Sequence, residues 1–413
     1  MIPLREANLR IVMLLAVFVL SAVLAAIRTA PARGTDELAH VSYVAQLQKA
    51  DAPHDLANLK LLDPNTFRFR PVANYINHPP IYYAALAHMG PQLEGHPEAL
   101  LWFRLINIVL AAAGLLTCFL LLPRETERLP FYAYAVPLLC IPVLIPLAGC
   151  VNNDNAAFVG GAVMLLGLKR LIETRRAGWL ALALCGLVLA SWAKLTGFLL
   201  GAGVLATVFV WLLRERRLPA LWSVAAVVAL VIAAIPYAQL MLAYGSPAPD
   251  TPAQHAALVA IARYAGWDGA TRLSFPVYAI RFVGDFVAGW QPPRDAIQSA
   301  ALVFPVFAIG VAAAGVWLAA RRFASRMASS DEVLVVACAV AFVSMFVVHV
   351  WFSYQRHLST GWMMDAYPRY YFPIAPFVPL AGLVAARAWS KHRDGLLTGL
   401  AAAPVLLLLA SAL

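Results

Sequence analysis

The chain has 413 residues, of which 62% are apolar and 13% charged, with a formal net charge of +10. A water-soluble domain carries roughly 45–50% apolar and about 25% charged residues, so this composition excludes a soluble globule, a disordered chain and a disulfide scaffold. The positive charges are scattered between apolar runs and form no patch, so no nucleic-acid partner is implied.

Runs near the spanning length of ~17–25 residues recur at 11–27, 100–122, 131–150, 156–171, 178–193, 195–213, 219–243, 299–320, 333–352, 370–389 and 396–413. The sequence therefore predicts an all-α polytopic membrane bundle of about eleven transmembrane helices in a single domain. The first run follows Arg5 and Arg10 and lacks a small-residue cleavage site, so it reads as a retained span. Placing the N-terminus in the cytoplasm puts every short basic loop on that side, including Lys169/Arg170/Arg175/Arg176 and Arg321/Arg322/Arg326. The outer side then receives two long segments, 28–99 and 244–298, and a medium one, 353–369. Cys118, Cys140, Cys150, Cys185 and Cys338 all fall in apolar runs and read as small buried hydrophobes.

Polar chemistry collects on the outer side. The first outer segment opens Gly34-Thr35-Asp36-Glu37, followed by His40 and Tyr43. Thr35 can cap a helix there, and Asp36, His40 and Tyr43 at i, i+4 and i+7 share one helical face. The commonplace alternative is an amphipathic helix with capping carboxylates. Asn77-His78-Pro79-Pro80 then fixes an extended entry into a short apolar helix at 81–89, with His78 near its N-terminus. Both helices, at 37–50 and 81–89, are expected to lie on the membrane surface.

Asn152-Asn153-Asp154-Asn155 joins two spans on the outer side; it is an ordinary turn composition, but a carboxylate at the membrane boundary is a functional candidate. Lys194 sits between two spans with almost no loop, at lipid-phosphate depth, where snorkelling also explains a lysine. The stretch from Asp365 to Pro376 puts Arg369 and Tyr370 at the outer mouth of a helix, and arginine suits a phosphate bidentately. Arg104, one turn into the second span, is a weaker candidate of the same kind.

The order and topology of these elements resemble the membrane-embedded glycosyltransferases of the C superfamily, which include protein O-mannosyltransferases and aminoarabinose transferases. The resemblance covers 1–241 as a shared module, plus 365–380; the second outer segment, 244–298, and the C-terminal helices, 299–413, carry no matching motif beyond that stretch. In the family the first outer loop opens with Asp-Glu and a second acidic residue comes from the next outer loop. Here Asp36-Glu37 and Asp154 take those places. The resemblance implies transfer of a sugar from a polyprenyl-phosphate donor to a lipid, glycan or protein acceptor, at a periplasmic face of a cell inner membrane. Asp36 is then the general base, Lys194 and Arg369 clamp the phosphate, and Glu37 and Asp154 orient acceptor or sugar. His40, Tyr43, His78 and Tyr370 line the substrates. No cofactor is required, although Asp36 and Asp154 together could hold a divalent metal. The competing class is a transporter or flippase of lipid-linked sugars, which predicts charges at mid-membrane and repeated broken helices.

Overall fold

The computed structural model describes residues 4–49, 55–122, 128–141, 143–264, 266, 272–288, 303–363 and 366–412. In chain order the helices are α1 (Leu4–Arg28), α2 (Glu37–Leu47), α3 (Ile81–Met89), α4 (Leu100–Phe119), α5 (Arg128–Leu139), α6 (Leu144–Ala148), α7 (Asp154–Thr174) and α8 (Ala177–Ala193). There follow α9 (Leu195–Arg214), α10 (Ala220–Tyr244), α11 (Pro252–Tyr264), α12 (Phe275–Ala288), α13 (Val303–Ala324), α14 (Ser330–Thr360), α15 (Phe377–Ala388) and α16 (Arg393–Ala412). A 3₁₀ turn at Pro368–Ile374 precedes α15. Strands Lys60–Leu62 and Phe69–Ala73 pair antiparallel within the first outer segment.

This is a multi-pass membrane protein. Among the described residues seven helices are long and apolar enough to cross a bilayer, or eight if the 3₁₀ turn and α15, bent by 63°, count as one span. The eleven runs of the sequence therefore do not become eleven uniform spans. The run at 131–150 breaks into α5 and the five-residue α6, which hold Pro137 and Pro146; a proline removes a backbone donor and crowds the preceding turn. The run at 178–193 is α8, an apolar helix of 17 residues. The apolar side chains of α10 that face outward, among them Leu221, Val224, Val228 and Val231, are exposed. Lipid is the solvent such a surface requires. Cys118, Cys150 and Cys338 are buried as expected, but Cys185 is exposed on α8.

α7 is the central helix: 89% of its apolar window is buried, against 17% for α1. Its glycines explain the position. A Cβ on Gly160 would lie 2.4 Å from the Ala190 nitrogen of α8, and one on Gly161 would lie 2.2 Å from the Pro373 carbonyl oxygen. Small residues let helix backbones approach where lipid supplies no hydrophobic drive between helices. Gly161 thus draws the 3₁₀ turn onto α7. At the far end of α7, Lys169 forms an ion pair with Asp331 of α14, and Arg387 of α15 donates to the other Asp331 oxygen at 2.8 Å. This neutralises a buried carboxylate and fastens three helices together.

The first outer segment is a small layer of its own. α2, α3 and the hairpin share a core of Tyr43, Val44, Leu62, Phe67 and Tyr83, all at most 1% exposed. The hairpin and helices α11 and α12 in the second outer segment are additions that apolar-run counting does not foresee. α12 presents Tyr278, Phe282 and Phe286, at helical spacing, to the aromatic side chains of α14. Gln254 of α11 donates to the Ile76 carbonyl at 2.7 Å, which ties the two outer segments together.

The basic stub loops predict that residues 28–99 lie outside. A cysteine introduced at the exposed Asn58 is expected to react with a membrane-impermeant thiol reagent in intact spheroplasts, above the background of the unmodified chain. Reaction only after lysis reverses the orientation.

Candidate functional site

The site forms where the outer ends of α7, α8 and α9 meet the first outer segment and the 3₁₀ turn. Asp154 opens α7, Lys194 joins α8 to α9, and Arg369 is the second residue of the 3₁₀ turn. Lys194 Nζ donates to Asp154 Oδ1 at 2.6 Å, and Arg369 Nε lies 3.6 Å from Asp154 Oδ2. Arg369 Nη2 donates to Asp36 Oδ2. Lys194 and Arg369, 175 positions apart in the numbering, therefore meet on one carboxylate. Tyr370 underlies both: Lys194 Nζ is 4.0 Å from its ring centre and the Arg369 guanidinium carbon 5.8 Å, a cation–π arrangement. Among the described residues, Arg369 Nε and Nη1 and Asp154 Oδ2 are buried without a hydrogen-bond partner. Asp365, at the start of the same stretch, lies outside the described residues.

Asp36 does not open a helix in the expected way. α2 begins at Glu37, and Asp36 precedes it with φ 54°, in the left-handed region that aspartate tolerates better than most L residues. Asp36, not Thr35, occupies the cap position, and its side chain makes no capping hydrogen bond. The carboxylate turns instead to Arg369 and accepts from the Tyr75 hydroxyl at 3.1 Å. Burial alone raises its pKa, but the Arg369 guanidinium, with Tyr75 and His40, outweighs that and holds the carboxyl below its ordinary value. The ion pair, rather than the helix terminus, is what keeps Asp36 ionised.

His40 and Tyr43 do share a face, and it points into the outer-loop core. His40 Nδ1 lies 2.9 Å from the Tyr83 hydroxyl and Tyr43 stacks on Tyr83 at 4.3 Å. The His40 and His78 rings stack at 6.2 Å. Burial pushes the His40 pKa down to about 3 against the pull of Asp36, and burial also lowers that of His78. Both imidazoles are thus neutral over the physiological range. Tyr43 is 1% exposed and packs against Tyr83 in the wall of the outer layer.

Glu37 has a different partner from the one expected. It is fully buried and takes a bidentate pair from Arg104, with Nε to Oε1 at 2.8 Å and Nη2 to Oε2 at 2.5 Å. The Val151 N–H also donates to it at 3.0 Å. Arg104 further donates to the carbonyls of Ala26, Thr29 and Ala30. The pair pins the loop to α1, α4 and the turn before α7. Glu37 and Arg104 therefore do not reach an acceptor or a phosphate. Asp154, 2% exposed at its side chain, faces the two cations rather than an acceptor.

Asn107 and Tyr75 were not singled out by sequence reasoning, and Asn153 was read only as part of a turn. Asn107 of α4 accepts from the Tyr82 hydroxyl at 2.7 Å and from Asn155 Nδ2 at 3.1 Å, setting the turn before α7. Asn153 Nδ2 donates to the Ala193 carbonyl at 2.7 Å, which ties that turn to the residue before Lys194. Tyr75 holds Asp36. Asn107 had a usable signal, being an amide inside an apolar run; Tyr75 had none.

The two carboxylates considered for a shared divalent ion face a guanidinium instead, and a cation there would meet the charges of Arg369 and Lys194. Among the described residues no group of three His, Cys, Asp or Glu side chains could hold a metal.

No protein-family model matches the sequence, and no curated protein sequence matches it. Solved structures do share the fold. The oligosaccharyltransferase of Archaeoglobus fulgidus in its apo form matches 92% of this chain and 51% of its own, with TM-score 0.51 and 16% identity. ArnT from Cupriavidus metallidurans bound to undecaprenyl phosphate matches 92% of this chain and 61% of its own, with TM-score 0.50 and 16% identity. The chain thus spans about half to three fifths of the length of these proteins. This chain has the fold of both.

Removing one partner of a buried pair strands the other charge, at a cost of about 3–5 kcal/mol. Glu37→Ala is therefore expected to lower the melting temperature of the purified protein sharply and to open residues 28–99 to protease. An unchanged melting curve would remove the pinning role.

Proposed function

We propose that this protein is an integral membrane glycosyltransferase. It moves a sugar from a polyprenyl-phosphate carrier to a hydroxyl-bearing lipid, glycan or protein acceptor at the periplasmic face of a cell inner membrane. The observation that carries this reading is the convergence of Lys194 and Arg369 on Asp154, beneath the partly exposed carboxylate of Asp36. The undecaprenyl phosphate bound to ArnT supports the donor class.

In this reading Lys194 and Arg369 hold the carrier phosphate, and Asp154 keeps the two cations together. Tyr370 screens them from lipid, while His40 and His78 form a neutral wall. The acceptor oxygen attacks the anomeric carbon as the bond from that carbon to the phosphate oxygen breaks. The electron pair leaves with the phosphate, where the two cations stabilise it. The acceptor proton passes to Asp36. Two buried cations supply the charge stabilisation, so the step needs no metal.

The reading is tested by transfer of labelled sugar from a polyprenyl-phosphate donor in detergent. Asp36→Asn keeps shape but removes the base, and turnover is expected to fall by about 10²–10⁴-fold with the fold intact. Lys194→Ala is expected to weaken donor binding more than acceptor binding. Full turnover in Asp36→Asn removes the proposed base. Sugar crossing liposomes with no new glycosidic bond would favour a transporter.

The pH dependence has a fixed sign. An acid with a lowered pKa loses its ionised form only as pH falls through that lowered value, and His40 is already neutral well above about 3. The kcat/KM profile, which reports the free enzyme, is therefore expected to show no limb from either group between about pH 5 and 7. A limb near the ordinary histidine value would place a titrating imidazole in the mechanism.

A further inference from the structure

The two carboxylates of the site occupy the two cations of the proposed clamp. Asp36 sits on Arg369, and Lys194 sits on Asp154, with Arg369 Nε close to the same Asp154. Two carboxylates thus balance two cations. A carrier phosphate entering between Lys194 and Arg369 adds a negative charge to a buried, balanced set, and an uncompensated buried charge is costly. One carboxylate must give up its cation.

The two carboxylates are not equally able to do so. The Asp154 side chain is 2% exposed, lies in the first turn of α7 and is held by Lys194. Its departure would leave it charged and dry. The Asp36 side chain is 35% exposed and keeps the Tyr75 hydroxyl as a second partner. It can turn to water without losing every hydrogen bond. On the other side, Arg369 has Nε and Nη1 buried with no hydrogen-bond partner among the described residues, Nε meeting Asp154 Oδ2 only at 3.6 Å. A phosphate with two free oxygens satisfies such a fork bidentately, whereas the single bond to Asp36 does not.

We infer that the lipid phosphate binds by taking the place of Asp36 on Arg369, so that the donor itself releases the base. The inference rests on the reading of Asp36 as base and of Lys194 and Arg369 as phosphate clamp. It imposes an order: the acceptor hydroxyl meets a free carboxylate only after the donor is in place. Water entering an empty site finds Asp36 neutralised by Arg369. No bond is made or broken in the exchange. Asp36 passes from Arg369 to solvent and Tyr75, and the guanidinium passes from carboxylate to phosphate. The charged and titratable groups that face Asp36 are Arg369, Tyr75 and His40, with Lys194 and Asp154 behind Arg369.

The probe is undecaprenyl phosphate, titrated into the purified full chain in detergent. Asp36→Asn and Asp36→Ala each remove the competing anion and are expected to bind the lipid about three- to tenfold more tightly than the unmodified protein. Unchanged or weaker binding in folded variants overturns the exchange. A second measurement needs no variant. The profile of kcat/KM reports the free enzyme and that of kcat the donor complex. Loss of Arg369 as a partner is expected to move the acid limb of kcat to higher pH than that of kcat/KM; coincident limbs overturn the exchange. The turnover of Asp36→Asn separates this inference from the one beneath it. Lost turnover with unchanged lipid affinity leaves the base and removes the exchange. Full turnover with tighter lipid binding removes the base and leaves the competition for Arg369.

Discussion

Four buried or half-buried charges at one end of an apolar bundle cannot exist unless they neutralise one another. Asp36, Arg369, Asp154 and Lys194 do this in series, and each comes from a different part of the chain: the first loop, the 3₁₀ turn, the head of α7 and the joint of α8 with α9. The requirement for neutrality therefore gathers elements that apolar packing alone would leave free to slide. The same rule acts at the opposite end of α7, where Lys169, Asp331 and Arg387 join α7, α14 and α15. The central helix is fixed at both ends by charge and along its length by the close approach of glycines.

A second ion pair decides where the outer layer sits. Glu37 and Arg104 are adjacent to the site in space but have no free edge. Their neighbours show how a single loop can hold both a structural and a chemical carboxylate. Glu37 pairs with Arg104 of α4 and is fully buried; Asp36, one residue earlier, pairs with Arg369 and is partly exposed. The reversal of direction between two adjacent carboxylates comes from the left-handed backbone at Asp36.

Much of this was legible in the sequence. The short apolar helix at 81–89 appears as α3 over the same residues, and Lys194 falls at the joint of two helices as its position required. Composition and run length fix such features because lipid accepts few alternatives. Long-range pairing was not legible. Nothing near Arg104 announces Glu37, and a pair of aligned carboxylates at 36 and 37 gives no hint that they diverge. The hairpin at 60–73 was missed because its two strands are three and five residues long, too short for alternation to register. The count of eleven spans is not reached among the described residues, in part because the run at 131–150 is divided between α5 and α6.

The backbone at Asp36 also narrows which residues can serve there. A positive φ costs glycine, asparagine and aspartate less than other residues, although Ala32, Phe67, Arg175, Arg216 and Arg326 also adopt one in this fold. Glycine has no side chain and asparagine is not a base at neutral pH, so aspartate meets the conformational and the acid–base demand together at the least cost. Glutamate, chemically the nearest relative, is conformationally a stranger at this position. The shape of one peptide unit thus selects the chemistry as firmly as the arginine that faces it.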